Sequence, residues 1–180
     1  EAVPVRRRLR VAVFSTGNEV LPPGMPLRPG ALYDSNRFAL IAMLGRLGCE
    51  VDDLGILADQ QAAVADAVRR AAASCDLVVT SGGVSMGEED HVRAALASVG
   101  SLVFWKLAIK PGRPVAMGIV DGTPVVGLPG NPVAVYVTFA HVVRPLVAAL
   151  TGEAYRTPVP MPVVAGFAFR KKEGRREFLR

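Results

Sequence analysis

The sequence contains few of the residues that usually form a metal centre or a redox site. It has two cysteines and two histidines among 180 residues. Cys49 and Cys75 have no partner at metal or redox spacing, and each stands just ahead of a predicted strand. His91 and His141 also lack ligands at regular spacing. We therefore expect two buried thiols, no disulfide, and no catalytic role for these four side chains.

The sequence also lacks the signals of membrane insertion and export. No apolar run approaches the roughly 18 to 20 residues that a membrane-spanning helix needs. No charged and then apolar leader with a small-residue cleavage site opens the chain. Hydrophobic residues make up 51% of the sequence and charged residues 21%, which is typical of a globular domain. We expect a cytoplasmic protein without a membrane partner.

The excess positive charge lies at the two ends of the chain. The net charge is +5, but residues 6–10 and 170–180 hold ten of the 21 basic side chains, so the middle is slightly acidic. Aromatic side chains are not interleaved with these basic clusters, as they are in single-strand nucleic-acid grooves. The clusters are therefore interpreted as solvated ends, and no nucleic-acid partner is expected.

Several common catalytic motifs are absent as well. The sequence has no P-loop and no evident nucleophile paired with a base. Its glycines from Gly82 to Gly87 do not follow the Gly-x-Gly-x-x-Gly spacing of a dinucleotide site. Function must therefore be sought in another pattern.

That pattern is an apolar run at residues 77–79 that leads into a loop of small and polar residues ending at Asp90. The paired Gly82 and Gly83 permit positive φ and close approach of the backbone to a ligand. A helix predicted at residues 88–99 follows, so the loop would offer backbone N–H groups and a positive helix end to a phosphate-like anion. An ordinary strand–helix turn would explain the two glycines alone.

Hydrophobic patterning along the chain predicts an α/β domain. Helical spacing and stop signals predict helices at residues 36–47, 60–73, 88–99 and about 132–150, with Pro145 kinking or ending the last one. Apolar runs predict strands at residues 10–14, 50–57, 77–79, 101–107, 115–120 and 123–128. Asp121 and Gly122 predict a hairpin between the last two strands, which makes the sheet mixed but mostly parallel.

The ends of the chain have a different character. We predict a linker at residues 1–8, the α/β domain at 9–151 and a proline-rich linker at 152–162. Residues 163–169 are predicted to form a strand that begins a small C-terminal β domain, cut off within residues 163–180.

Three carboxylates follow the first three predicted strands: Glu19, Asp59 and Asp90. Because the carboxyl ends of parallel strands meet at one edge of a sheet, we expect these side chains to converge there. Carboxylate oxygens are ligands that Mg²⁺ takes in proteins. Asp59 could equally cap the helix that follows it.

Two further groups are expected near the same edge. Lys106 and Lys110 follow the fourth predicted strand, and Lys110, beside a Pro-Gly turn, is the firmer candidate for an anion ligand. Gly130 and Asn131 lie between two prolines at a predicted helix start. They form either a second backbone cradle or simply the start of a helix led by proline.

The chain resembles the molybdopterin molybdenumtransferase family over nearly its whole length. The motifs that carry the resemblance occur in the family's order: Ser15-Thr16-Gly17-Asn18-Glu19, Tyr33-Asp34-Ser35-Asn36-Arg37, Ser81-Gly82-Gly83-Val84-Ser85-Met86-Gly87-Glu88-Glu89-Asp90, Lys106-Leu107-Ala108-Ile109-Lys110-Pro111-Gly112-Arg113-Pro114 and Gly127-Leu128-Pro129-Gly130-Asn131-Pro132. Asn18 departs from the aspartate that is frequent in the family and removes one possible metal ligand.

The resemblance implies a three-layer αβα sandwich and an enzyme that inserts molybdate into adenylylated molybdopterin with release of AMP. It implies catalytic and metal-binding roles for Asp90, Glu19 and Asp59, with Mg²⁺ or another divalent cation. The residues that it implies for substrate binding are Thr16, Ser81, Gly82, Gly83, Ser85, Lys106, Lys110, Gly130 and Asn131.

The resemblance also implies a homodimer in the full-length protein and contact with the molybdopterin adenylyltransferase. That sister enzyme shares the fold and is the nearest alternative function. Its loop is usually Thr-Gly-Gly-Thr-Gly, whereas this chain has Gly82-Gly83-Val84-Ser85. A pterin-binding or scaffold module without chemistry is the second alternative.

Overall fold

A computed structural model describes residues 2–84, 91–170 and 173–178. Strands and helices alternate along most of it, as the patterning predicts. In chain order the elements are β1 (Arg10–Thr16), β2 (Val20–Leu21), β3 (Leu32–Tyr33), α1 (Asn36–Arg46), β4 (Glu50–Leu57), α2 (Gln61–Ala72), β5 (Leu77–Ser81), α3 (His91–Val99), β6 (Ser101–Lys106), β7 (Ile109–Lys110), β8 (Pro114–Val120), β9 (Thr123–Leu128), α4 (Pro132–Thr138), a π-helical turn (Phe139–Val143), α5 (Arg144–Thr151) and β10 (Arg176–Glu177).

Six of the strands form one mixed sheet in the order β4-β1-β5-β9-β8-β6. Strands β4, β1, β5 and β9 are parallel, and β8 runs antiparallel to both β9 and β6. The predicted hairpin is confirmed, because Val120 pairs with Thr123 and Asp121 has a φ of 48°. Five strands therefore end at the same edge of the sheet, which we call the carboxyl edge.

Helices cover both faces of this sheet. Along β1, Val11 and Val13 pack into the cluster beneath α1, α4 and α5, whereas Ala12 and Phe14 pack into the cluster beneath α2 and α3. A strand buried on both faces needs an unbroken apolar sequence, and for this reason the apolar run at residues 10–14 predicts β1. The three-layer αβα architecture is confirmed.

The two cysteines lie in opposite layers. Cys49 belongs to the cluster beneath α1 and Cys75 to the cluster beneath α2, and both are buried free thiols, as predicted. Burial raises the pKa of the Cys49 thiol. The sheet between them keeps the two sulfurs from forming a disulfide.

The last long helical segment is interrupted just before Pro145. Pro145 lies in the first turn of α5, directly after the π-helical turn. Since proline lacks an N–H and its ring clashes with the carbonyl four residues earlier in an α-helix, the wider turn accommodates it. The predicted interruption at Pro145 is thus present as a π-helical turn.

The same helix contradicts the expectation that no segment is long and apolar enough for a membrane. Among the described residues, Pro132–Thr151 meets that test, with 20 residues and a mean hydropathy of 1.8. Its inner face packs on the sheet, where Val135, Phe139, Val143 and Val147 are buried. The apolar composition is accounted for by this core contact.

The predicted strand at residues 163–169 is wrong. These residues have no strand structure, and Val163 and Val164 are 86% and 98% exposed. A strand needs a neighbour to pair its backbone groups, and none lies beside these residues in the described parts of the chain. The strand that does form in this part of the chain is β10, which pairs in parallel with β7.

Candidate functional site

A cleft of about 420 Å³ opens at the carboxyl edge, at the ends of β1 and β5. Five residues predicted for the site line it: Thr16, Glu19, Ser81, Gly82 and Gly130. Hollows of about 560 and 610 Å³ lie elsewhere on the surface, but this cleft is the one at which the central parallel strands end. Ligands in open α/β sheets bind at such positions.

Asp59 lies beside Thr16, in the segment that follows β4. Its Oδ1 atom accepts a hydrogen bond of 2.9 Å from Thr16 Oγ1. Helix α2 has Gln60 at its N-cap position and no side-chain cap, so Asp59 does not cap the helix. A Cβ atom built on Gly83 would lie 3.5 Å from Asp59 Oδ1, which places the carboxylate beside the glycine loop.

Glu19 approaches the same strand end from the turn after β1. A Cβ atom on Gly17 would come within 2.9 Å of Glu19 Oε1, so the carboxylate folds back over this turn. Two of the three predicted carboxylates therefore lie near the end of β1. Their oxygens suit Mg²⁺, but the described residues contain no group of three metal ligands.

The third predicted carboxylate, Asp90, lies outside the described residues, as does Ser85. The predicted first turn of α3 at residues 88–90 does too. The glycine loop is described only as far as Val84, and α3 is described from His91.

The glycine loop packs against the end of β1 more closely than any other residue type would allow. Gly82 has a φ of 87°, and a Cβ atom on it would lie 2.1 Å from the carbonyl oxygen of Thr16. Its N–H donates to the Leu128 carbonyl at 3.1 Å. This N–H therefore joins β5 to β9, and it is not offered to an anion in the cleft as the sequence pattern suggests.

Asn36 links the glycine loop to the start of α4. Its Nδ2 atom donates to Ser81 Oγ at 2.9 Å and to the Gly130 carbonyl at 2.8 Å. Ser81 Oγ in turn donates to the Pro129 carbonyl at 3.4 Å. Asn36 was not among the predicted site residues, although it lies in the motif from Tyr33 to Arg37 that carries the family resemblance.

Gly130 and Asn131 have different positions. Asn131 accepts hydrogen bonds of 3.0 and 3.2 Å from the N–H groups of Val133 and Ala134, so its side chain caps α4. This is the helix start led by proline that was one of the two interpretations. Gly130 lines the cleft, which keeps the cradle interpretation open for the backbone there.

An ion-pair network around the buried Arg37 borders the cleft, which Ser15 and Asp34 line. Asp34 accepts from Ser15 Oγ at 3.0 Å and pairs with Arg37 at 2.9 Å, and Arg37 also pairs with Asp53. Burial would lower the pKa of Arg37, but hydrogen bonds to Asp53 and Asp34 outweigh burial and raise it. The charged network fixes the start of α1 against β1 and β4. The spacing of three residues between Asp34 and Arg37 is the sequence feature from which part of this network could have been predicted.

Residues 12–149 match a family described as "Probable molybdopterin binding domain". The chain belongs to this family. It is 46% identical to molybdopterin molybdenumtransferase of Haemophilus influenzae over 175 residues, which are 97% of this chain and 43% of that protein. It is 41% identical to molybdopterin molybdenumtransferase of Nostoc sp. over 156 residues, which are 84% of this chain and 36% of that protein.

A solved structure supports the same assignment. The molybdopterin biosynthesis MoeA protein from Pyrococcus horikosii superposes with a TM-score of 0.73 and 36% identity, covering 81% of this chain and 36% of that one. The chain therefore spans less than half the length of these relatives.

The two predicted lysines lie apart from the cleft of this molybdopterin-binding domain. Lys106 ends β6, the outermost strand, and lines the separate hollow of about 560 Å³ together with Arg113. Lys110 is in β7, half exposed, with its Nζ atom 4.0 Å from Glu177 Oε1. Neither lines the cleft that holds Thr16 and Glu19, so the described residues form two groups at this edge.

Proposed function

We propose that this chain is the part of a molybdopterin molybdenumtransferase that binds the pterin substrate. The reaction is insertion of molybdate into adenylylated molybdopterin, with release of AMP. The observation that carries the proposal is that Thr16, Glu19 and Gly82 line one cleft at the carboxyl edge, with Asp59 hydrogen-bonded to Thr16. Relatives of that name at 46% and 41% identity support it.

In this proposal Glu19, Asp59 and Asp90 bind Mg²⁺ or another divalent cation. Such a cation would neutralise negative charge on the phosphoanhydride and on molybdate. Thr16 orients Asp59, because its hydroxyl hydrogen is already donated to that carboxylate. Without a cation, the negative charges of Glu19 and Asp59 would repel the two anionic reactants. A bound cation removes this repulsion, which supports a role as metal ligands for both carboxylates.

Substrate contacts are proposed at Thr16, Ser81, Gly82, Gly83, Ser85, Gly130, Asn131, Lys106 and Lys110. The side chains of Ser81 and Asn131 and the N–H of Gly82 have partners within the protein. These three residues would therefore shape the cleft and contact the substrate through other atoms. The lysines would contribute from the neighbouring hollow as compact positive charges.

The wider setting is proposed with the function. We propose a cytoplasmic homodimer in which this domain, residues 9–151, is flanked by linkers at 1–8 and 152–162. Residues 163–180 would begin a small β domain. Contact with the molybdopterin adenylyltransferase would allow transfer of the adenylylated pterin.

The decisive experiment replaces Asp59 by asparagine in the purified protein. Asparagine keeps an acceptor for Thr16 but removes the charge, so the circular dichroism should be unchanged while Mg²⁺-dependent molybdate insertion falls at least 100-fold. Asp66→Asn is the matched control, because Asp66 is an exposed carboxylate that, among the residues the structure describes, pairs with Arg69 and Arg70 on α2 and lies outside the cleft. Full activity of Asp59→Asn would overturn the assignment.

The same preparation separates the alternatives. Pyrophosphate release from ATP and molybdopterin would identify the adenylyltransferase instead. Calorimetric binding of molybdopterin without any turnover, with and without Mg²⁺ and molybdate, would identify a binding module.

A further inference from the structure

Three segments of the chain meet at the side chain of Asn36. They are the start of α1, the end of β5 at Ser81 and the loop that leads into α4 at Gly130. The two loops are neighbours, since a Cβ atom built on Gly130 would lie 4.0 Å from the Gly82 Cα atom. Both loops line the cleft.

The chemistry of the contact requires an amide. Asn36 uses its two N–H bonds on two acceptors, one a hydroxyl oxygen and the other a main-chain carbonyl. Because Ser81 directs its own hydrogen to the Pro129 carbonyl, Ser81 accepts from Asn36 and donates onward. A carboxylate at this position has no hydrogen to donate to Ser81 Oγ or to the Gly130 carbonyl oxygen. An apolar side chain would also leave these two acceptors without a donor from α1.

Helix α1 is a rigid support for this contact. The start of the helix is fixed by Arg37, which is buried between Asp34 and Asp53. Asn36 therefore projects from a fixed backbone and holds two loops that are otherwise joined by the pairing of β5 with β9 and by the hydrogen bond from Ser81 to the Pro129 carbonyl.

We propose that Asn36 is a positioning residue, which sets the separation of the glycine loop and the start of α4 and thereby the width of the cleft. The proposal rests on the proposed function for its kinetic consequence. Its structural consequence, the ordering of both loops, holds for any ligand of the cleft.

The kinetic test compares Asn36→Ala and Asn36→Asp with the unmodified protein. Loss of two neutral hydrogen bonds should raise the KM for adenylylated molybdopterin about tenfold in Asn36→Ala, with kcat changed less than about threefold. Asn36→Asp should be affected more, because its charge faces the Gly130 carbonyl and an anionic substrate. Adding Asn36→Ala to Ser81→Ala should have a smaller effect than Asn36→Ala alone.

Thr123→Val is the matched control for stability. Thr123 Oγ1 donates a buried hydrogen bond of 3.0 Å to the Ala72 carbonyl at the opposite edge of the sheet. This variant should be destabilised while keeping its KM. If Asn36→Ala behaves in the same way, Asn36 is merely structural and the proposal is overturned.

Amide hydrogen exchange tests the proposal without turnover. The N–H groups of Gly82 and Val133 report on the two loops, since they bond to Leu128 and Asn131. Asn36→Ala should accelerate exchange at both by roughly tenfold, and Thr123→Val should not. Unchanged exchange at both would refute the positioning role. Failure of the unmodified protein to process the pterin, with accelerated exchange in Asn36→Ala, would refute only the proposed reaction.

Discussion

Replacing Gly82 by alanine gives the sharpest test of how the cleft is built. At this residue the backbone has a φ of 87°, and a Cβ atom would lie 2.1 Å from the Thr16 carbonyl oxygen. That oxygen belongs to the backbone of a central strand, so no side-chain rotation relieves the overlap. The strand end, the glycine loop or both must move.

The magnitude follows from two separate terms. A non-glycine residue at positive φ is disfavoured by about 1 to 2 kcal/mol. Overpacking against a fixed neighbour adds about 1 to 3 kcal/mol. Gly82→Ala should therefore lower the free energy of unfolding by about 2 to 5 kcal/mol, which is a fall in Tm of roughly 10 °C for a chain of this length.

Gly130→Ala is the matched control from the neighbouring loop of the same cleft. Its nearest new contact would be the Gly82 Cα atom at 4.0 Å, an ordinary van der Waals distance. This variant should change the free energy of unfolding by less than about 1 kcal/mol. Urea unfolding followed by circular dichroism measures both variants. Equal midpoints for Gly82→Ala and the unmodified protein would refute the close approach of the glycine loop to β1.

Three further predictions follow from the packing. Hydrogen bonds from Arg7 and from the Arg10 N–H lower the pKa of Asp76 below its ordinary 3.8. This pair therefore stabilises the fold above about pH 4, and the stabilisation is lost as pH falls through the lowered pKa. Asp76→Asn should flatten the acid side of a stability–pH curve, and an unchanged curve would contradict the pairing. Asn131→Ala removes the cap of α4 and should lower the free energy of unfolding by about 1 kcal/mol in denaturant titrations; no change would show that the cap is dispensable. Cys49 and Cys75 are buried, so a thiol reagent should label neither until urea unfolds the protein, and rapid labelling of the native protein would contradict their burial.

The fold was largely predictable because its strands are buried on both faces. The apolar run at residues 77–79 has no polar position that could face solvent, and every residue of Leu77–Ser81 is buried. Gly48 and the Asp121-Gly122 pair have positive φ at the turns where they were expected. The failure at residues 163–169 is of the opposite kind, since an apolar sequence there has no neighbouring strand among the described residues. Pairing partners are a tertiary property that a local pattern does not contain.

The site was predictable in outline for a topological reason. Residues that follow parallel strands meet at one edge, and Thr16 and Glu19 line one cleft there while Asp59 is hydrogen-bonded to Thr16. The metal site formed by Glu19, Asp59 and Asp90 stays a prediction. Lys106 and Lys110 lie apart from this cleft because β9 and β8 separate the edge strand β6 from β5, and the strand order is invisible in the sequence. Asn36 was missed because a single amide in a helix start carries no local signal. Its two acceptors come from distant parts of the chain.

The position of β9 between β5 and the antiparallel strand β8 has a consequence for biosynthesis. Strand β5 is made early, yet one of its two edges stays unpaired until residues as far as Leu128 have left the ribosome. During that interval the nascent protein presents an apolar, hydrogen-bonding ribbon to its surroundings. Before β9 is available, this unpaired edge is therefore a place where nascent chains can aggregate.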